Sequence, residues 1–195
     1  MDGHPNKKSK LYEKNLYSET RYAVIKWLEK ELPKVSGDVV NISAGNWPIP
    51  KKLLVPEKIK SYKTADLKFY GATKNVVDFY VDVHKLPKDW ENKWDCVLNF
   101  ESLECYENPF VAVGELHRIL KPGGLLLLSC PFAYRWFGDG SWADPKQNLK
   151  GVKDYWRPTK QGLELLTKAF SKVEVVGFGG TGPHDRFVHC LKAIK

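Results

Sequence analysis

An α/β fold built on a doubly wound, mostly parallel sheet is predicted by three observations. Five short β-rich runs, GDVVNIS (37–43), YKTADL (62–67), VVDFYVD (76–82), WDCVLNF (94–100) and GLLLLSCP (124–131), follow one another with intervening connections. Between the fourth and fifth runs, residues 99–131 spell strand end, loop, helix, Lys-Pro-Gly-Gly turn and buried strand, which is the αβ unit of a parallel sheet. Two last runs, VEVVGFG (173–179) and FVHCLKAI (187–194), are separated by a Gly-rich link and finish the sheet as an antiparallel pair, for seven strands in all.

The elements are justified in chain order. Residues 1–17 form a polar N-terminal arm carrying Leu11, Tyr12, Leu16 and Tyr17, and residues 18–195 form the domain. Ser18 suits a helix N-cap, and Tyr22, Ile25, Trp27, Leu28 and Leu32 give an amphipathic helix that ends near Pro33. Asn108 is a good N-cap with Pro109 at the first helical position, and Phe110, Val113, Leu116 and Leu120 recur at helical spacing. Arg118 and Lys121 suit the helix's negative end, and Pro122, Gly123 and Gly124 stop it. Thr159 caps a further helix with Leu163, Leu166 and Phe170. Between Phe132 and Pro158 runs a long aromatic, Gly- and Asp-rich stretch, a length that predicts a lid or binding loop, and Trp136, Trp142 and Trp156 argue that it is ordered.

A chain of 195 residues buries one full core. It has no run of about 18 apolar residues and no signal-peptide pattern, so no membrane insertion and a cytoplasmic location are expected. Cys96, Cys105, Cys130 and Cys190 lack any C-x-x-C pair and are expected as free thiols rather than disulfides or metal ligands. The net charge of +8 is dispersed over lysines; it permits an anionic partner, but no Arg-rich stripe or RNA-binding module accompanies it.

The segment with Leu103-Glu104, Pro109, Glu115, Arg118 and Leu120-Lys121-Pro122-Gly123-Gly124 resembles the "LE…P…E…R-LKPGG" unit of class I S-adenosylmethionine-dependent methyltransferases, which joins their fourth and fifth strands. The resemblance implies a Rossmann-like sheet, S-adenosyl-L-methionine as cofactor, and a ligand at the carboxyl ends of the central strands. It places NISAGNWP at the family's glycine loop, with Asn41 where an acidic residue is common, Ser43 at a usual glycine, Gly45 retained and Trp47-Pro48 beyond. A tight strand-to-helix turn with no ligand role is the alternative there. By the same resemblance Asp66 accepts from the ribose hydroxyls, Asp82 from the adenine amino group, and the backbone of Val83 faces the ring. Asn99 and Phe100 line the methionine and adenine side, with Glu101 behind them. Cys105 stands where the family's "LEH" has histidine, and His84, on an exposed connection, is not expected to be catalytic.

A narrower group of these enzymes carries "DYWR-[FY]-T-P-x-G" after the fifth strand, which Asp154, Tyr155, Trp156, Arg157, Thr159 and Gly162 match while Pro158 and Lys160 alter the order. The group implies a small-molecule or glycan acceptor. Tyr155 and His184 are then candidate proton acceptors, Asp154 and Arg157 candidate positioning groups, and Tyr134, Arg135, Trp136, Asp139 and Trp142 further candidates for an acceptor pocket. Equally open is a structural role, with Arg157 paired to Asp154 and Trp156 filling the core. The sulfonium is already an activated methyl donor, so the protein has to align a nucleophile and, where needed, take its proton; no metal is called for.

Competing readings differ at identifiable residues. A nicotinamide dehydrogenase would carry G-x-G-x-x-G where this chain has NISAGNWP. Base N-methylation of the [DN]PP[YF] kind meets Asn99-Phe100-Glu101-Ser102, and Cys130 lacks the Pro-Cys partner of the cytosine-C5 enzymes. An RNA methyltransferase and a catalytically silent, cofactor-binding regulatory partner stand as alternatives to the small-molecule or glycan enzyme.

Overall fold

A computed structural model of the chain describes residues 19–45, 49–68, 77–133, 153–179 and 187–195. Helix α1 (Glu19–Glu31) leads into β1 (Gly37–Ile42), then a short α2 (Ile49–Leu53), β2 (Ile59–Asp66), β3 (Phe79–Tyr80), β4 (Trp94–Phe100), α3 (Pro109–Ile119), β5 (Leu120–Pro131), α4 (Lys160–Leu166), β6 (Lys172–Phe178) and β7 (Val188–Ile194). The strands form one sheet in the order β3-β2-β1-β4-β5-β7-β6. All pairings are parallel up to β4–β5, and β7 runs antiparallel to both β5 and β6. This is the seven-stranded, doubly wound sheet expected from the sequence. The strand order reverses between β1 and β4, so the crevice for a ligand lies outside their carboxyl ends.

Both faces of the central strands are covered, which is why they are apolar without alternation. On β5, Leu126, Leu128 and Cys130 join the core cluster that includes Val113, Leu116 and Ile119 of α3 and Leu163 of α4. Leu127 belongs to the opposite cluster with Val24, Trp27 and Leu28 of α1. Burying a side chain such as Leu116 or Ile119 contributes about 1.5–3 kcal/mol, and both are fully covered.

Two differences from the sequence expectation have local causes. The third strand is two residues long, because the Asp78 carboxylate takes the Thr64 N–H at 2.8 Å in place of a ladder partner and Asp82 already caps the next turn. Helix α3 begins as expected, with Asn108 Oδ1 accepting from Val111 N at 3.1 Å, but stops at Ile119, before Lys121-Pro122-Gly123-Gly124. Lys121 instead bridges to Asp95 at 2.8 Å and Asp38 at 3.6 Å, and β5 begins at Leu120.

Gly37 opens β1 with φ +83°, and a Cβ there would lie 2.4 Å from Asp95 Oδ2, the oxygen that accepts from Asp38 N. Gly37→Ala is therefore expected to cost about 1–2 kcal/mol through left-handed strain and a displaced carboxylate. Urea unfolding of the variant, with an unchanged slope and a lower midpoint, is the check.

Candidate functional site

At the switch point the polypeptide leaves β1 through Ser43, Ala44 and Gly45. Ser43 has φ +55° and Gly45 φ +52°, so serine occupies a backbone conformation that favours glycine. Its hydroxyl is compensated by Tyr106, whose phenolic oxygen lies 2.9 Å from Ser43 Oγ. Tyr106 OH also accepts from Asn99 Nδ2 at 2.5 Å and donates to Ser102 Oγ at 3.2 Å. One buried phenol thus ties the β1 loop to the end of β4, and burial pushes its pKa up to about 12. No sequence signal marks Tyr106, because two of its partners, Ser43 and Asn99, lie outside its own turn.

Asp66 ends β2 with both oxygens engaged by main chain: Oδ2 accepts from Gly45 N and Oδ1 from Leu67 N, each at 2.7 Å. Burial raises its pKa, while those two N–H groups pull it back. A carboxylate has about four acceptor positions, so capacity for two hydroxyl donors is left. Leu67, next in the chain, is 49% exposed, an apolar surface beside that carboxylate that the sequence reading overlooked.

Asp82 caps the turn Val83–Lys85, its Oδ1 accepting from His84 N at 2.9 Å and contacting His84 Nδ1 at 2.8 Å. Partial burial pushes this carboxyl up, but the bonds and charge of His84 outweigh it and hold it below its ordinary value. His84 Nε2 accepts from Asn108 N at 3.3 Å, so the ring is a strut between two turns. The following Leu86-Pro87 is clamped from α3: Glu115 accepts from Leu86 N at 2.8 Å, and Arg118 donates to Leu86 O and Pro87 O. Glu115 and Arg118 therefore fix the turn that holds Asp82 and Val83 in place, Val83 itself being buried in the core.

Asn99 is fully buried; Nδ2 also donates to Ile42 O at 3.1 Å, and Oδ1 has no hydrogen-bond partner among the described residues. Asn41 is buried too and donates to Tyr62 OH at 3.2 Å. Phe100 departs from expectation. Its ring lies edge-on to Trp27 of α1, with centroids 6.5 Å apart, inside the core cluster on that face of the sheet. With Asn99 turned toward Tyr106, strand alternation sends its neighbour to the opposite face, so the Phe100 ring packs in the core rather than lining a site.

Beyond β4 lies a group of carboxylates. Glu101, at φ +50°, donates its N–H to Ser129 O at 3.0 Å and accepts from Ser129 Oγ at 2.9 Å. Its pKa is raised by burial, against the pull of the Ser129 hydroxyl and the charges of Arg21 and Arg157. Glu104 is buried and pushed well above its ordinary value, first by desolvation and then by the charge of Glu101. Its folded-state pKa lies above the unfolded one, so the protonated acid is favoured on folding and stability falls as pH rises from the unfolded pKa toward the folded one. Glu104→Gln, which cannot ionise, is expected to melt above the parent at pH 8, the advantage shrinking as pH falls toward about 4.5, near the unfolded pKa. Thermal unfolding of both proteins across that range checks the sign.

The segment 153–159 docks on this turn by its main chain. Tyr155 N and Trp156 N donate to Glu104 O at 2.7 and 3.2 Å, and Trp156 Nε1 donates to Tyr106 O at 2.7 Å. Arg157 Nη1 and Nη2 each donate to an oxygen of Asp154, whose side chain is 1% exposed. Tyr155 OH donates to Glu107 at 3.1 Å and the residue is 41% exposed. The predicted arm, Trp47-Pro48, His184 and the loop residues Tyr134, Arg135, Trp136, Asp139 and Trp142 lie outside the described residues. Cys96, Cys130 and Cys190 are buried free thiols, and Cys105 is half-buried.

Residues 60–128 match the sequence model of a methyltransferase domain. No curated protein matches the chain in sequence. Among solved structures, the CMeT domain of citrinin polyketide synthase superposes with a TM-score of 0.61 at 19% identity, covering 90% of this chain and 53% of that one. The CurJ carbon methyltransferase gives 0.59 at 14% identity, covering 90% and 52%. The chain thus spans about half the length of those two proteins. An S-adenosylmethionine-dependent methyltransferase from Mesorhizobium loti gives 0.59 at 18% identity over 87% of this chain and 96% of that one. At these identities the structural likeness speaks for the fold, and the domain match speaks for the sequence. A sheet of this order, with a methyltransferase-domain sequence match running from its second strand to its fifth, gives the chain the Rossmann-like fold of S-adenosylmethionine-dependent methyltransferases.

Proposed function

We propose that this chain transfers the methyl group of S-adenosylmethionine to a small-molecule or glycan acceptor at the carboxyl ends of β4 and β5. The observation that carries the acceptor class is the docked segment 153–159, which leaves Tyr155 and Trp156 41% and 42% exposed, with the exposed carboxylate of Glu107 against the Tyr155 hydroxyl. Aromatic faces suit a sugar ring or a planar group. Carboxylates suit hydroxyl or amine donors and repel a polyphosphate backbone, which sets the local chemistry against RNA despite the overall charge of +8.

The residues fit the cofactor. In this reading Asp66 accepts from the ribose hydroxyls, and Leu67 and the Asp82–Val83 turn serve the adenine. The backbone of Ser43 to Gly45 receives the methionine end, to which Asn41 adds a polar side chain; a Cβ at Gly45 would meet nothing within 4 Å. The unpartnered Asn99 Oδ1 suits an ammonium donor. S-adenosylmethionine, when bound, supplies a methyl group on a positively charged sulfur. The protein's own work is to hold that end through the Ser43–Tyr106–Asn99 connection and to bring an acceptor atom into line. Asp154 and Arg157 serve the acceptor side by fixing segment 153–159 in place. Among the described residues no helix is long and apolar enough to cross a membrane.

The test is methyl incorporation from labelled S-adenosylmethionine into fractionated acceptor pools. Label is expected in a metabolite or glycan fraction. Label in the RNA fraction, lost steeply with added salt, would favour the RNA methyltransferase instead. Cofactor binding with no turnover in any fraction would favour the silent regulatory partner.

A further inference from the structure

Methyl transfer to an oxygen or nitrogen that carries a proton needs somewhere for that proton to go. The described residues narrow the choice. Tyr155 commits its hydroxyl to Glu107, and His84 is held between Asp82 and the Asn108 N–H. Asp154 is covered and gripped by Arg157, and Glu104 is buried. Asp66 holds Gly45 and Leu67. Glu101 differs from all of these: it is half-buried, it directly follows β4 at the sheet's switch point, and Asn99, two residues earlier, is joined through Tyr106 to the β1 loop.

Its backbone is held in a conformation unusual for glutamate, φ +50°, by the bond from its N–H to Ser129 O, while Ser129 Oγ donates to Oε1. The Ser129 hydroxyl is itself fully buried at the end of β5, so the carboxylate is oriented from a rigid strand. A carboxylate with one such donor keeps acceptor positions for another. Backbone strain of this kind persists where the surroundings impose it, and here the imposing partner is the strand that flanks the methyl-transfer site.

We propose that Glu101 is the proton acceptor of the methyl transfer, which assigns the acceptor atom as a hydroxyl oxygen or an amine nitrogen. This rests on the reading of the chain as an active methyltransferase. In the step, a lone pair of the acceptor atom forms the bond to the methyl carbon. The carbon–sulfur bond breaks with its electron pair going to sulfur, giving neutral S-adenosylhomocysteine, and the acceptor's proton passes to the Glu101 carboxylate. The neighbourhood tunes that base from every packed element. Arg21 of α1 and Arg157 of the docked segment favour the ionised form, as does the Ser129 hydroxyl of β5; burial opposes it. Glu104 and the Cys190 thiol of β7 are coupled to it by charge. A carboxyl raised above its ordinary value by burial is a stronger base than an ordinary exposed one.

Three measurements on the 195-residue chain decide the matter. Calorimetry with S-adenosylhomocysteine comes first: the parent and Glu101→Gln are expected to bind equally, and absence of binding to the parent would overturn the methyltransferase reading itself rather than the role of Glu101. Carboxyl ¹³C NMR of the homocysteine complex, with the Glu101 resonance identified by its loss in Glu101→Gln, is expected to show a titration above the usual glutamate value of about 4.3; a titration at or below it overturns the proposal. With an acceptor from the fractionated pools, Glu101→Gln is expected to lower turnover at least about a hundredfold. Glu101→Ala should regain part of that loss with added formate, which a purely structural role would not show. Parental turnover in Glu101→Gln overturns the assignment.

Discussion

Asp66→Ala is expected to weaken S-adenosylhomocysteine binding at least about tenfold, as the loss of charge-assisted hydrogen bonds worth about 1.5–3 kcal/mol each implies. The effect has two parts. The carboxylate is the proposed partner of the ribose hydroxyls, and it also holds the Gly45 N–H at 2.7 Å, so the β1 loop loses its anchor to β2. Asp66→Asn does not restore the site, because one end of the amide presents a donor to a main-chain donor. The same exchange at Asp82 is expected to cost less, since that side chain is 55% exposed and already shared with His84. Calorimetry on folded variants measures both. Parental affinity in Asp66→Ala would remove Asp66 from the cofactor site.

The largest loss of stability is expected from Arg157→Ala. Removing the guanidinium strips a carboxylate with a 1% exposed side chain of its bidentate partner. Breaking a buried pair on one side costs about 3–5 kcal/mol. In a chain of this size that lowers the melting temperature by roughly 10 °C. The double variant Asp154→Ala/Arg157→Ala, which leaves no uncompensated charge, is expected to be more stable than the single one. If Arg157→Ala melts with the parent, the pair is not structural, and Arg157 is left with the acceptor alone. Both variants should retain cofactor affinity while losing methyl transfer, because segment 153–159 frames the acceptor side in the proposed function.

Local signals carried much of the fold. Asn108 and Pro109 start α3 because a side-chain acceptor and a fixed φ act within one turn, and the apolar runs of β4 and β5 announce strands covered on both faces. The positions of Asp66, at the end of β2, and of Asp82, capping the turn after β3, follow from recognisable strings. Tyr106 follows from none, since its meaning lies in Ser43, Asn99 and Ser102, which the fold alone gathers around one oxygen. Glu115 and Arg118 were read as part of a family string and turn out to be a clamp on Leu86-Pro87, a contact between segments some 30 positions apart. Phe100 shows the opposite lesson: once Asn99 is given one face of β4, period-two alternation assigns Phe100 to the other, and the string resemblance had overridden that rule. The Arg157–Asp154 pair, three residues apart, is readable as structure or as chemistry, and in the structure the guanidinium grips a carboxylate whose side chain is 1% exposed.

Tyr106 has two ends, and in the proposed function they face different ligands. Its hydroxyl reaches the loop and strand end proposed for the methionine moiety, while its carbonyl receives the Trp156 indole from the acceptor side at 2.7 Å. The two binding events therefore share one rigid residue. If the two sites are coupled through it, thermodynamic reciprocity makes the factor by which cofactor tightens acceptor equal to the factor by which acceptor tightens cofactor. In steady-state kinetics that reciprocity is read as an equal change in the apparent affinity of each ligand when the other is saturating.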